Sequence, residues 1–173
     1  TLLSLGVRIP RPMAALVDSV ILTLGTFYVV FVAQNFLNPF QSFLITLGVP
    51  LASWAGIMIA DIALRKRDYD DDALFDAGGR YRAWDWVSLG TMVVASVLGW
   101  GLVVNGFSAD ASWNDWQGFL LEPLGLGTYN AADGYWEGTF AYANLGVLLA
   151  LALSFAVTLV ARRGTVARQE SGA

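Results

Sequence analysis

"FQSFLITLGVPLASWAGIMIADIAL", residues 40 to 64, is a run of 25 residues that carries a single ionisable group, Asp61, near its end. A helix needs about 20 apolar residues to cross the hydrocarbon core of a bilayer, so this stretch predicts a membrane span. Pro50 sits near its middle, with Gly48 and Gly56 on either side. Proline has no N–H and its ring presses on the preceding turn, so the carbonyl of Thr46, four residues back, loses its helical donor. In lipid no bulk water replaces that donor, and a neighbouring helix, a side chain or a trapped water has to meet the group. A kink or break is therefore expected. Two meanings stay open: a bundle kink, or a moving part of the kind that transporters build from broken helices. Asp61 stands one turn before Arg65, the acid-first order that favours an i,i+4 pair.

Working outward, three more apolar stretches are about long enough to span: Met13 to Ala33, Trp86 to Val104 and Phe140 to Ala161. The chain is 56% hydrophobic and 14% charged, with mean hydropathy +0.56. This predicts an all-α membrane protein of four transmembrane helices. The first stretch is too long for a signal peptide, follows "VRIPRP" and lacks a small-residue cleavage site. Thr1 stands where a Met would start a gene, and "TLLSLGVRIPRP" reads as a connection leaving an earlier helix; a fragment is expected. Cysteine and histidine are absent, which removes disulfide frameworks, thiolate nucleophiles, His-ligated metals and His bases. A net charge of −4 and a pI near 4.6 argue against nucleic acid as a partner.

The bases set the orientation. Arg8 and Arg11 precede the first span, Arg65, Lys66, Arg67, Arg80 and Arg82 lie between the second and third, and Arg162, Arg163 and Arg168 follow the fourth. All ten thus fall on one side, which the positive-inside rule makes cytoplasmic, with both ends of the chain inside. The opposite segments, 34 to 39 and 105 to 139, carry no base but hold Asp110, Asp115, Glu122, Asp133 and Glu137.

The loop from Arg65 to Asp85 holds five bases against six acids, so it can pair its charges locally rather than form a polybasic lipid patch. It reads as a solvated turn, or as a contact with another cytoplasmic segment. Asp68, Asp70, Asp72 and Asp76 fit positions 1, 3, 5 and 9 of a calcium loop, but Ala73 replaces the turn glycine and Gly79 the closing Glu. No metal site is assigned. Asp18, a turn and a half inside the first span, reads as packing, capping or a functional acid. Gly25 and Thr26 offer a small surface for another helix.

In the third span, Trp84 and Trp86 suit the interfacial belt and Gly90, Gly99 and Gly101 suit close helix packing. The fourth span has no ionisable group and looks peripheral. In the external segment, Ser112 and Asp115 have capping-box spacing, which predicts a short surface helix ending before Pro123, with a binding lid as the alternative.

Several stretches together resemble the C-terminal part of the nucleobase–cation symporter family, of the purine–cytosine permease and hydantoin-transporter type. They are "RIPRP" (8–12), residues 38 to 76, "GGRYRAWDW" (78–86) and "WQGFLLEPLGLG" (116–127). Pro50, Gly56, Ile57, Asp61, Arg65 to Arg67, Tyr69 and Asp70 carry the pattern. The resemblance implies that the four spans are the last four of a twelve-helix inverted-repeat transporter. Such a transporter alternates access to a central nucleobase site and is coupled to Na⁺ or H⁺. The coupling site and most of the substrate site would lie on upstream helices of the same transporter, outside this chain, and no cofactor is expected.

The resemblance further implies that the outer half of the second span bends over the substrate as a gate. Its hinge would be Gly48 and Pro50. Phe43, Leu44 and Leu47 have the spacing of one helical face and would form the apolar cover; ordinary helix packing is the competing role. The implied location is the plasma membrane. A self-contained four-span scaffold or assembly subunit is the alternative function. A membrane enzyme ranks behind both, because Asp18 and Asp61 lie too near the cytoplasmic side to form a buried acid pair.

Overall fold

The computed structural model describes residues 11–31, 37–74, 76, 79–81, 84–105 and 116–171. The described residues form six helices: α1 (Arg11–Phe31), α2 (Leu37–Leu64), α3 (Asp71–Leu74), α4 (Trp86–Trp100), α5 (Leu145–Ala161) and α6 (Arg163–Ser171). Two short strands, β1 (Thr128–Asn130) and β2 (Tyr135–Glu137), pair antiparallel with Tyr129 opposite Trp136. The chain divides into two compact units, Thr1–Phe40 and Gln41–Ala173.

In the first unit, α1 exposes Leu16, Val20, Ile21, Leu24, Phe27 and Phe31 to its surroundings. Its Ser and Thr hydroxyls are taken up within the helix. Ser19, Thr23 and Thr26 each donate to the carbonyl four residues back, at 2.8 Å, which lets polar residues sit on an apolar helix.

In the second unit, α2, α4 and α5 pack through small residues. Gly99 of α4 faces Gly146 of α5 so closely that a Cβ on Gly146 would overlap the Gly99 carbonyl oxygen. A Cβ on Gly56 of α2 would likewise overlap the carbonyl oxygen of Leu151 in α5. Near this second approach the Ser53 and Ser154 hydroxyls share a hydrogen bond of 2.6 Å, both fully buried. Such contacts are how apolar helices associate when no hydrophobic gain separates them from lipid. Val49, Val103 and Ala150 are buried together, with Ile45, Trp100 and Val147 around them.

Among the described residues one helix, over Phe40–Leu64, is long and apolar enough to cross a membrane alone, against the four spans expected, and several helix bounds are corrected. A second arises if α5 and α6, bent by 53° at Arg162, are taken as one span. Ala15–Phe31 and α4 are apolar but shorter. The third apolar stretch leaves the helix after Trp100, where Gly101 caps it and a turn at 101–102 is followed by residues 103–105 without regular structure, although the apolar residues continue to Val104. The fourth helix starts at Leu145 rather than Phe140, since Asn144 takes the left-handed conformation (φ 52°). Nor is α5 peripheral within this unit: its Gly146, Ala150, Ser154 and Thr158 stripe is buried.

The external helix is replaced from Trp116 onward by turns, with Gly118 at φ +77°, a conformation that ends a right-handed helix. Its capping box, Ser112 and Asp115, lies outside the described residues. The hairpin β1–β2 adds a small strand component to a mostly helical fold.

Candidate functional site

The interest centres on the two ends of α2. Helix α2 runs unbroken through Pro50, so the expected break is not a loss of helix. The expected orphan is present and is met: the indole Nε1 of Trp100, the last residue of α4, donates to the Thr46 carbonyl oxygen at 2.8 Å. The Thr46 hydroxyl donates to the Ser42 carbonyl at 2.9 Å and accepts from Gln117 Nε2 at 3.0 Å. One turn earlier, Ser42 Oγ donates to Asn105 Oδ1 at 2.7 Å.

The partners come from α4 and from the segment after it, which is itself tied to the end of α4. Gly118 N donates to the Trp100 carbonyl at 3.0 Å and Leu120 N to that of Gly101 at 2.9 Å. Trp116 packs edge-on against the Trp100 ring, with centroids 5.2 Å apart. Gln117 Oε1 and Asn105 Nδ2 are buried without a partner among the described residues.

The candidate cover residues lie on another face of α2. Phe43, Leu44 and Leu47 are 54%, 47% and 38% exposed, in line with exposed Leu51 and Trp54, whereas Ser42, Val49 and Ser53 are buried. Gly48 is open apart from Val147, 3.9 Å from a Cβ built there.

The other end of α2 is charged. Asp61, 4% exposed, accepts from Arg65 Nε at 2.7 Å and from the Tyr69 hydroxyl. Its second oxygen faces Arg162 Nη1 at 3.2 Å, an ion pair without hydrogen-bond alignment. Arg162 caps the C-terminus of α5 and also meets Asp85 at 3.1 Å, while Asp85 caps the N-terminus of α4. Each charge therefore sits at the helix end whose dipole favours it.

Arg65 stacks on Tyr69, 4.1 Å from its ring centre, and donates to Gln169 of α6 at 3.1 Å. Burial works against the Arg65 charge, but the hydrogen bonds and charge attraction from Asp61 and Tyr69 together outweigh it and its pKa is raised. Burial first, and then the bond to Asp61, raise the Tyr69 pKa above the ordinary phenol value. Glu170 of α6 accepts from the backbone N–H of Lys66 (2.6 Å) and Arg67 (3.1 Å), which lowers its pKa. An open cleft of about 290 Å³ lies beside this network, lined in part by Asp61, Arg65, Tyr69, Arg162 and Gln169.

A family model described as permease for cytosine/purines, uracil, thiamine, allantoin matches residues 2–130. The chain belongs to this permease family. No curated protein and no solved structure matches it. In this permease chain the match takes in both ends of α2, all of α4 and the Gln117 turn, and it stops before α5 and α6.

Sequence reasoning found the Thr46 carbonyl and the Asp61–Arg65 pair. It missed Trp100 and Gln117 as partners of Thr46 and Asn105 as the partner of Ser42, and it read Arg162 only as a topology marker. No local spacing links residues 46, 100 and 117. The one available signal was that an unmatched carbonyl in an apolar helix needs a donor, and Trp100 is one of the indoles nearest a span end.

Proposed function

We propose that this chain forms the last four spans of a twelve-helix, cation-coupled symporter for purine, cytosine or related rings, in the plasma membrane with both termini cytoplasmic. In this reading the lipid bilayer and the upstream helices of the same transporter cover the exposed apolar surfaces of α1 and α2. The nucleobase and the coupling Na⁺ or H⁺ bind mainly on those upstream helices. The outer half of α2 serves as the gate, with Phe43, Leu44 and Leu47 as its cover and Gly48 and Pro50 as its hinge.

The observation that carries the gate is the Thr46 carbonyl. Its helical donor is removed by Pro50, and a side chain of another helix holds it instead. A ladder with one rung replaced by a side chain is where α2 bends at least cost. The exposed apolar face at 43, 44 and 47 supports a role in covering a ring brought by other helices.

The test uses the full-length transporter. Leu44→Ala and Pro50→Ala are expected to change uptake or the rate of substrate release by about tenfold, at unchanged amounts in the membrane; a barrier change of about 1.4 kcal/mol sets that factor. Wild-type transport by both variants at equal expression would leave α2 a packed support and remove the gate.

A further inference from the structure

The Thr46 carbonyl loses its helical donor because residue 50 is proline, and among the described residues the Trp100 indole meets it. A Phe at position 100 would fill most of the same space against Val49 and Val103 but has no N–H. The hydrogen bond is thus separable from the packing. Gln117 adds a second tie to the same residue through the Thr46 hydroxyl, and Gln117 sits in a turn anchored to the end of α4 by two backbone hydrogen bonds.

We propose that Trp100 is a positioning residue that holds the outer half of α2 through the carbonyl Pro50 has freed, with Gln117 as an auxiliary tie from the external segment. The outer half is then held to α4 and the segment after it by neutral hydrogen bonds, two on Thr46 and one from Ser42 to Asn105. Its release needs no charge to be uncovered. The consequence for transport rests on the gate reading above; the hold itself does not.

The dependence on Pro50 gives the experiment. Hydrogen–deuterium exchange is measured on residues 43–47 of the full-length transporter in lipid nanodiscs, with substrate release followed in parallel. Replacing the indole N–H, by Trp100→Phe or by benzothienylalanine at position 100, is expected to speed exchange about fivefold, the factor a typical intramolecular hydrogen bond supports.

In a Pro50→Ala background residue 50 has its own N–H, which donates to the Thr46 carbonyl. Removing the indole N–H there is expected to change exchange by less than about twofold, so the two changes are not additive. Gln117→Met should act alike in both backgrounds, because its acceptor is the hydroxyl.

Unchanged exchange in the Pro50 protein, or an equal effect in both backgrounds, overturns the proposal and leaves Trp100 a packing residue. Non-additive exchange with substrate release unaltered in every variant keeps the hold and removes the gate. The benzothienyl side chain guards the result, since it preserves the bicyclic shape if Trp100→Phe disturbs the fold.

Discussion

The two ends of α2 are held by different physics. At the Asp61 end one buried carboxylate gathers Arg65, Tyr69 and Arg162, and through them α4, α5 and α6. At the Thr46 end the bonds are neutral, and the link to α4 that Pro50 makes necessary is one indole N–H. Opening the first means separating charges in a poorly hydrated place, with a cost of several kcal/mol for an unpaired partner. Opening the second means exchanging hydrogen bonds worth about 1 kcal/mol each. The same helix is thus clamped at one end and loosely tied at the other.

The largest expected effect tests the clamp. Asp61→Asn removes the charge shared by Arg65 and Arg162, and is expected to cost about 3 kcal/mol in the melting of the purified transporter. A melting curve equal to wild type would erase the difference between the two ends.

Tyr69→Phe is the next in size, because it removes a hydrogen bond to a charged acceptor, worth about 1.5 kcal/mol. The sign of its pH dependence sharpens the comparison. The Tyr69 pKa in the folded protein lies above its ordinary value of 10.0, so its contribution is full below that value and fades as pH rises through the folded one. Stability of the wild type should therefore fall more steeply than that of Tyr69→Phe in alkaline solution. Parallel curves would show that Tyr69 does not share the charge network.

The smallest effect is expected at Glu170, which lies at the surface and is only partly covered. Its pKa is lowered, first by the N–H of Lys66 and then that of Arg67, so its contribution is present above the usual value of 4.5 and lost as pH falls through the folded one. Glu170→Gln should raise amide exchange in Arg163–Ser171 at neutral pH and make little difference in acid. Equal exchange at neutral pH would mean that α6 is held by Gln169 and Val166 without Glu170.

What the sequence made legible follows from which interactions are local. Pro50 announces an orphan carbonyl by covalent structure alone, and Asp61 announces Arg65 by the pitch of a helix. The donors Trp100 and Gln117 lie 54 and 71 residues from Thr46, and only the packing of α2 on α4 brings them there. Arg162 is 101 residues from Asp61 and carries no mark that separates it from Arg163 beside it. Hydropathy also overran the helix ends. It counts Leu102 to Val104 with the helix because they are apolar, yet they are buried outside it, Leu102 and Val104 against Leu121 and Val103 against Val49 and Ala150. The external segment misled for a related reason: its capping-box spacing suits a helix start, yet from Trp116 onward the chain turns, with Gly118 at positive φ.

The contact of Gly146 with Gly99 bears on how such a protein moves. Packed helices commonly shear past one another by small side-chain adjustments, and those adjustments need side chains between the two backbones. Here backbone lies against backbone, and sliding α5 along α4 would drive Cα atoms into carbonyl oxygens. Shear between these two helices is expected to be costly at this contact, so a displacement would be absorbed more cheaply by a bend elsewhere.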